Sequence, residues 1–157
     1  MSRYIYLKIP RVKNKVKIKI LPEVYKDDWP NAFCSKDGMV SFNTAILKAS
    51  KDYQIIALAH ELGHRACFKK NIMSPEGRLV WEEALADYYA LQKCGMKRLN
   101  IMYDGDMKSY RVIKSTDPKE YRECIKETVN RRKLVLKWHR KKLTFIQAFD
   151  RCRKYWL

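Results

Sequence analysis

The stretch His60-Glu61-Leu62-Gly63-His64 limits what this chain can fold into more than any other segment. It lies in an apolar run, Ile55, Ile56, Leu58, Ala59 and Leu62, that suits a helix with one face in a core. Each helical step turns about 100°, so residues four apart lie nearly above one another. His60 and His64 then share a face and can reach one metal ion. Glu61 is displaced by about 100° around the axis, which takes it out of the ligand position and sets it beside the metal's open position. That is where a general base belongs. A catalytic zinc ion commonly takes three protein ligands, so one more must come from elsewhere in the chain.

Glu83 is the best candidate for that third ligand. It sits in a second helical segment, Trp81-Glu82-Glu83-Ala84-Leu85-Ala86-Asp87, where Glu83 and Asp87 repeat the four-residue offset. These carboxylates lie among Trp81, Leu85, Ala86, Tyr89 and Leu91, surroundings in which an ionised group wants a cation. Asp87 would take the N–H of a ligating imidazole and fix its tautomer. Zinc would acidify a water, and Glu61 would accept its proton as the oxygen attacks a polarised carbonyl. Other ligand patterns fit less well. A metzincin would have glycine at position 67 and histidine at position 70, where this chain has Cys67 and Lys70. A SprT-like protease would have a histidine soon after the pair, and His139 is the only one that follows. Cys67 shares the face of His60 and His64 and could ligate as a thiolate, but a small residue buried in the helix core is the preferred reading. Histidine and carboxylate ligands also accept cobalt, nickel or manganese.

The sequence His-Glu-x-x-His, followed after 18 residues by Glu-x-x-x-Asp, resembles the gluzincin clan of zinc metallopeptidases, best over residues 38–95. Within that clan, the short chain and the segment Gly38-Met39-Val40-Ser41-Phe42-Asn43 are similar to ImmA/IrrE-like peptidases and to archaeal minigluzincins. The resemblance implies one zinc ion per chain on His60, His64 and Glu83, with Glu61 as general base and Asp87 orienting a histidine. It also implies an edge strand near residues 39–44 that holds an extended substrate by strand addition. No motif marks the groups that steady an oxyanion in such enzymes, and His139, Arg78, Tyr88 and Tyr89 are open candidates.

A chain of 157 residues, 46% of them hydrophobic, is enough for one domain with a core and too short for a separate substrate-recruiting module. The N-terminus, Met1-Ser2-Arg3-Tyr4-Ile5-Tyr6-Leu7-Lys8, is interrupted by charge and unlike a signal peptide. No run approaches the roughly 20 apolar residues of a membrane span. The cysteines at 34, 67, 94, 124 and 152 are odd in number and lack a close pair, as expected of free thiols in a reducing compartment. A cytoplasmic protein is the expectation.

Val16-Lys17-Ile18-Lys19-Ile20-Leu21 alternates with period two and predicts a strand ended by Pro22, with another at Met39–Phe42. A helix is predicted over residues 51–70, capped by Ser50 and ending near Asn71. A second runs from Ser74-Pro75-Glu76 to Gly95. Residues 100–116 lack a clear period, and Asp104-Gly105-Asp106 reads as a hairpin turn. Residues 117–157 read as mainly helical. The fold class predicted is α+β: a small zincin-like domain with a short antiparallel or mixed sheet packed on the two active-site helices. Residues 1–50 would supply the strands, 51–95 the active-site helices and 96–157 a basic, mainly helical region.

Thirty-four basic residues against 17 acidic leave a net charge of +17. The excess is uneven, 15 against 10 in residues 1–92 and 19 against 7 in residues 93–157. Arg131-Arg132-Lys133 and Lys137-Trp138-His139-Arg140-Lys141-Lys142 could grip phosphates, making nucleic acid or another acidic partner a candidate. The plainer reading is a solvated helix face. Phe145, Ile146, Phe149, Tyr155 and Trp156 form an apolar stripe that would dock a last helix on the core. A further expectation is that Tyr155-Trp156-Leu157 folds over the cleft and keeps the protein latent. Together these features predict a zinc endopeptidase acting on a narrow protein or peptide substrate. The alternative is a zinc-stabilised, proteolytically silent nucleic-acid-binding or regulatory protein.

Overall fold

In the computed structural model, residues 2–22, 31–70 and 80–153 are described. Four strands, β1 (Arg3–Leu7), β2 (Val16–Ile20), β3 (Ala32–Cys34) and β4 (Val40–Phe42), form one mixed sheet in the order β1-β2-β4-β3. β1 pairs with β2 antiparallel, with Ile5 opposite Ile18, and β2 pairs with β4 in parallel, with Ile18 beside Val40. In β2 the predicted alternation places Ile18 and Ile20 in the core and leaves Lys17 and Lys19 more accessible.

Among the described residues six helices follow: α1 (Thr44–Leu47), α2 (Lys51–Lys69), α3 (Val80–Cys94), α4 (Met96–Tyr110), α5 (Pro118–Arg140) and α6 (Phe145–Arg153). The chain is therefore α+β. α2 is capped as predicted, the Ser50 side chain accepting a hydrogen bond from the Tyr53 backbone N–H. It packs on β3 and β4 on one side and on α3 and α4 on the other. Phe42, Ile46, Ile56, Leu58 and Leu62 fill the space beneath it. α2 and α3 meet at Gly63, where a Cβ would lie 2.6 Å from the Ala86 Cα. Only glycine permits that approach, which brings the histidine face of α2 to the Glu83 face of α3. Gly95, at φ +91°, ends α3 and starts α4.

Three expectations are corrected. Residues 40–42 do not form an edge strand: β4 lies between β2 and β3, and the edges are β1 and β3. Residues 100–110 belong to helix α4 and form no hairpin. The glycine in Asp104-Gly105-Asp106 marks a close approach instead of a turn, since a Cβ there would meet the Tyr53 ring at 2.5 Å. The third concerns Arg131. It is buried, on the inward stripe of α5 with Thr128, Val135 and Trp138, so it is no part of a basic surface.

The end of the apolar stripe is divided. Phe149 is buried and Phe145 packs against the core, whereas Ile146 is exposed. Ser74, Pro75, Glu76, Arg78 and the tail Tyr155-Trp156-Leu157 lie outside the described residues. All five cysteines are free thiols. Among the described residues, no helix is long and apolar enough to cross a membrane.

Candidate metal centre

His60 and His64 leave α2 one turn apart, and Glu83 faces them from the first turn of α3. Their ligand atoms form a nearly equilateral triangle. His60 Nε2 lies 3.1 Å from His64 Nε2 and 3.1 Å from Glu83 Oε2, and His64 Nε2 lies 3.3 Å from the same oxygen. Ligands about 2.0–2.1 Å from a tetrahedral zinc are separated by about 3.3 Å, so the three atoms fit three corners of such a site.

His60 Nδ1 lies 2.8 Å from Asp87 Oδ1. Donating the Nδ1 proton there leaves the Nε2 lone pair turned towards Glu83 and His64. Burial alone would lower the His60 pKa, but hydrogen bonds and charges from Asp87 and Glu83 outweigh it and hold the ring well above its ordinary value. Burial would likewise raise the Glu83 pKa, and the two histidines drive it well below the usual carboxylate range. These opposed shifts mark a site where positive charge and carboxylate stabilise one another.

Asp87 is itself held. Arg131 donates from Nε to Oδ2 at 3.1 Å and from a terminal nitrogen to Oδ1 at 2.9 Å, and the Tyr103 hydroxyl donates to Oδ2 at 2.9 Å. Burial works against the charge on Asp87, yet the Arg131 guanidinium and His60 keep its pKa below the ordinary value. Neither Arg131 nor Tyr103 was assigned to the site from sequence. A usable signal did exist for Arg131, because a cation at the three-to-four-residue spacing of a buried stripe requires a buried anion opposite.

Glu61 is buried and lines the same cavity as the triad, about 640 Å³ in volume. Three of the open oxyanion candidates are elsewhere. Tyr88 is buried and donates to the Trp138 and Leu143 carbonyls, Tyr89 packs edge-on against Phe145, and His139 is exposed at the end of α5. Arg78 lies outside the described residues. Cys67 is in the core, and burial pushes its thiol up to about 12, which disfavours the thiolate a metal would need. Asp106, on α4, was also missed. It lines the cavity, and burial raises its carboxyl to about 6, with Arg131 as the main opposing charge.

The model of Peptidase family M48 matches residues 3–71, which take in the sheet, α2 and the His-Glu-x-x-His motif and stop short of Glu83. The chain is thus similar to a family of metal-dependent peptidases over somewhat less than half its length. That likeness supports a metallopeptidase and gives no support to the narrower ImmA/IrrE-like or minigluzincin placement. No curated protein and no solved structure matches the chain.

Proposed function

We propose that this protein is a zinc-dependent endopeptidase of the gluzincin type. The observation that carries the reading is the convergence of three ligand atoms at the spacing of a tetrahedral zinc site, beside a buried glutamate. His60, His64 and Glu83 would hold the ion, which would supply Lewis acidity to a water and to the scissile carbonyl. Glu61 takes the proton of the attacking water and delivers it to the departing amine. Asp87 fixes the His60 tautomer, and Arg131 and Tyr103 fix Asp87. An extended substrate would lie along β3, the strand beside the cavity that presents a free edge, with Phe33 and Cys34 at the wall. The proposed setting is the cytoplasm, in keeping with five free thiols.

Metal content by plasma mass spectrometry, on wild type beside Glu83→Ala with no metal added, tests the ligand set. One zinc per wild-type chain, lost in the variant, is expected. A metal-free wild type would overturn it. Glu61→Gln tests the chemistry: peptide hydrolysis should fall by at least about a thousandfold with zinc content unchanged. A silent nucleic-acid-binding protein would be indifferent to that change.

A further inference from the structure

The cavity beside the triad continues as a trough between α2, α4 and α5. On α5 its wall is one stripe, Glu120, Cys124, Glu127 and Arg131, at spacings of four, three and four. From Arg131, behind the triad, to Glu120 at the far rim is about 16 Å along the helix, room for about five residues of extended peptide. Opposite lie Asp106 and Tyr110 on α4 and Tyr53 on α2.

The charge of this trough is opposite to that of the chain. Six carboxylates line it: Glu61, Glu82, Glu83, Asp106, Glu120 and Glu127. Among the described residues Arg131 is the one lysine or arginine that does so, and its guanidinium is engaged with Asp87. In a chain with 34 basic and 17 acidic residues, chance would favour the reverse. A divalent ion at the triad would be balanced by Glu83 and its near neighbours, which leaves the more distant Asp106, Glu127 and Glu120. Asp106 is partly buried and lines the trough, and its carboxylate makes no hydrogen bond or ion pair among the described residues. Burial raises its pKa to about 6, and Arg131, the main charge opposing that rise, is committed to Asp87. The Tyr53 and Tyr110 rings offer apolar surface of the kind that covers the methylene stem of a long cationic side chain.

We propose that the trough selects positively charged peptide segments, with Asp106 receiving a lysine or arginine side chain of the substrate and Glu127 and Glu120 attracting the residues that follow. This rests on the peptidase reading for its meaning as substrate specificity, but not for the binding itself. Remote charge on a +17 protein would repel a cationic peptide and attract an anionic one, so lysine-selective binding can only come from a local acidic site.

Fluorescence anisotropy on the full chain, zinc-loaded and carrying Glu61→Gln, would compare labelled short peptides of alternating alanine and lysine, norleucine or glutamate. The lysine peptide should bind best. Adding Asp106→Asn should weaken it about tenfold while leaving the norleucine peptide unchanged. Glu120→Gln, at an exposed position on the far rim, should give a smaller loss in the same direction. Equal binding of lysine and norleucine peptides, stronger binding of the glutamate peptide, or a lysine preference undiminished in Asp106→Asn would overturn the proposal. Hydrolysis of the lysine peptide by zinc-loaded wild type is followed in parallel. No hydrolysis with intact Asp106-dependent binding would sink the peptidase reading alone.

Discussion

Arg131 and Asp87, 44 residues apart in the chain, meet in a two-pronged ion pair in which the aspartate side chain is fully buried and the arginine side chain is 8% exposed. Replacing one partner strands the other charge in the interior. Arg131→Met should therefore destabilise the fold by about 3–5 kcal/mol in urea unfolding, far more than a surface arginine would. It should also weaken metal binding about 10- to 100-fold, because the carboxylate that orients His60 loses its anchor.

The same pair sets the acid response. The Asp87 pKa is lower in the folded chain than its ordinary 3.8, so its contribution is fully present above about pH 4 and is lost as the pH falls through the folded value. Without the guanidinium the folded pKa rises. Acid unfolding of Arg131→Met, followed by circular dichroism, should begin at a higher pH than in wild type.

Asp106 has the opposite sign. Its folded pKa of about 6 lies above the ordinary 3.8, so the ionised form opposes folding above pH 6 and the opposition fades as the pH falls towards 4. In metal-free protein, Asp106→Asn should be more stable than wild type by about 2–3 kcal/mol at pH 8 and nearly equal to it at pH 4. Urea titrations at the two pH values would show this.

Much of the site could be read from the sequence, because helical spacing is a local property. Ser50, the apolar run of α2 and the four-residue offsets place His60 next to His64 and Glu83 next to Asp87 before any fold is known. What α5 contributes could not be read in that way, since the meeting of Arg131 with Asp87 depends on how distant helices cross. The same limit explains α4. Asp104-Gly105-Asp106 has the composition of a turn, and only the Tyr53 ring, about a third of the chain away, explains the glycine. β3 was missed for another reason, three residues being too few to show a period.

Gly63 carries a prediction of its own. A methyl group there would collide with the Ala86 backbone at 2.6 Å and 2.8 Å, and backbone cannot swing aside as a side chain can. Gly63→Ala should force α2 from α3, costing about 1–3 kcal/mol despite the better helix propensity of alanine. His64 and Glu83 would part with the helices, so zinc affinity, measured by competition with a chelating dye, should fall together with the melting temperature.

Cys67→Ala separates a core residue from a ligand. The zinc content of the purified protein should be unchanged, with a loss of about 1–2 kcal/mol of stability from the small void. A variant that loses its zinc while remaining folded would show that the thiol belongs to the metal after all.

The order of the chain gives the Asp87–Arg131 contact a consequence in time. His60, His64, Glu83 and Asp87 all leave the ribosome before Arg131, which follows Asp87 by 44 positions. Until it emerges, the Tyr103 hydroxyl is, among the described residues, the one other side chain that holds Asp87 besides His60, and the carboxylate lacks its guanidinium. Completion of the centre waits on a residue that touches no ligand atom of the triad, so a nascent chain stalled short of α5 carries the motif without the finished site.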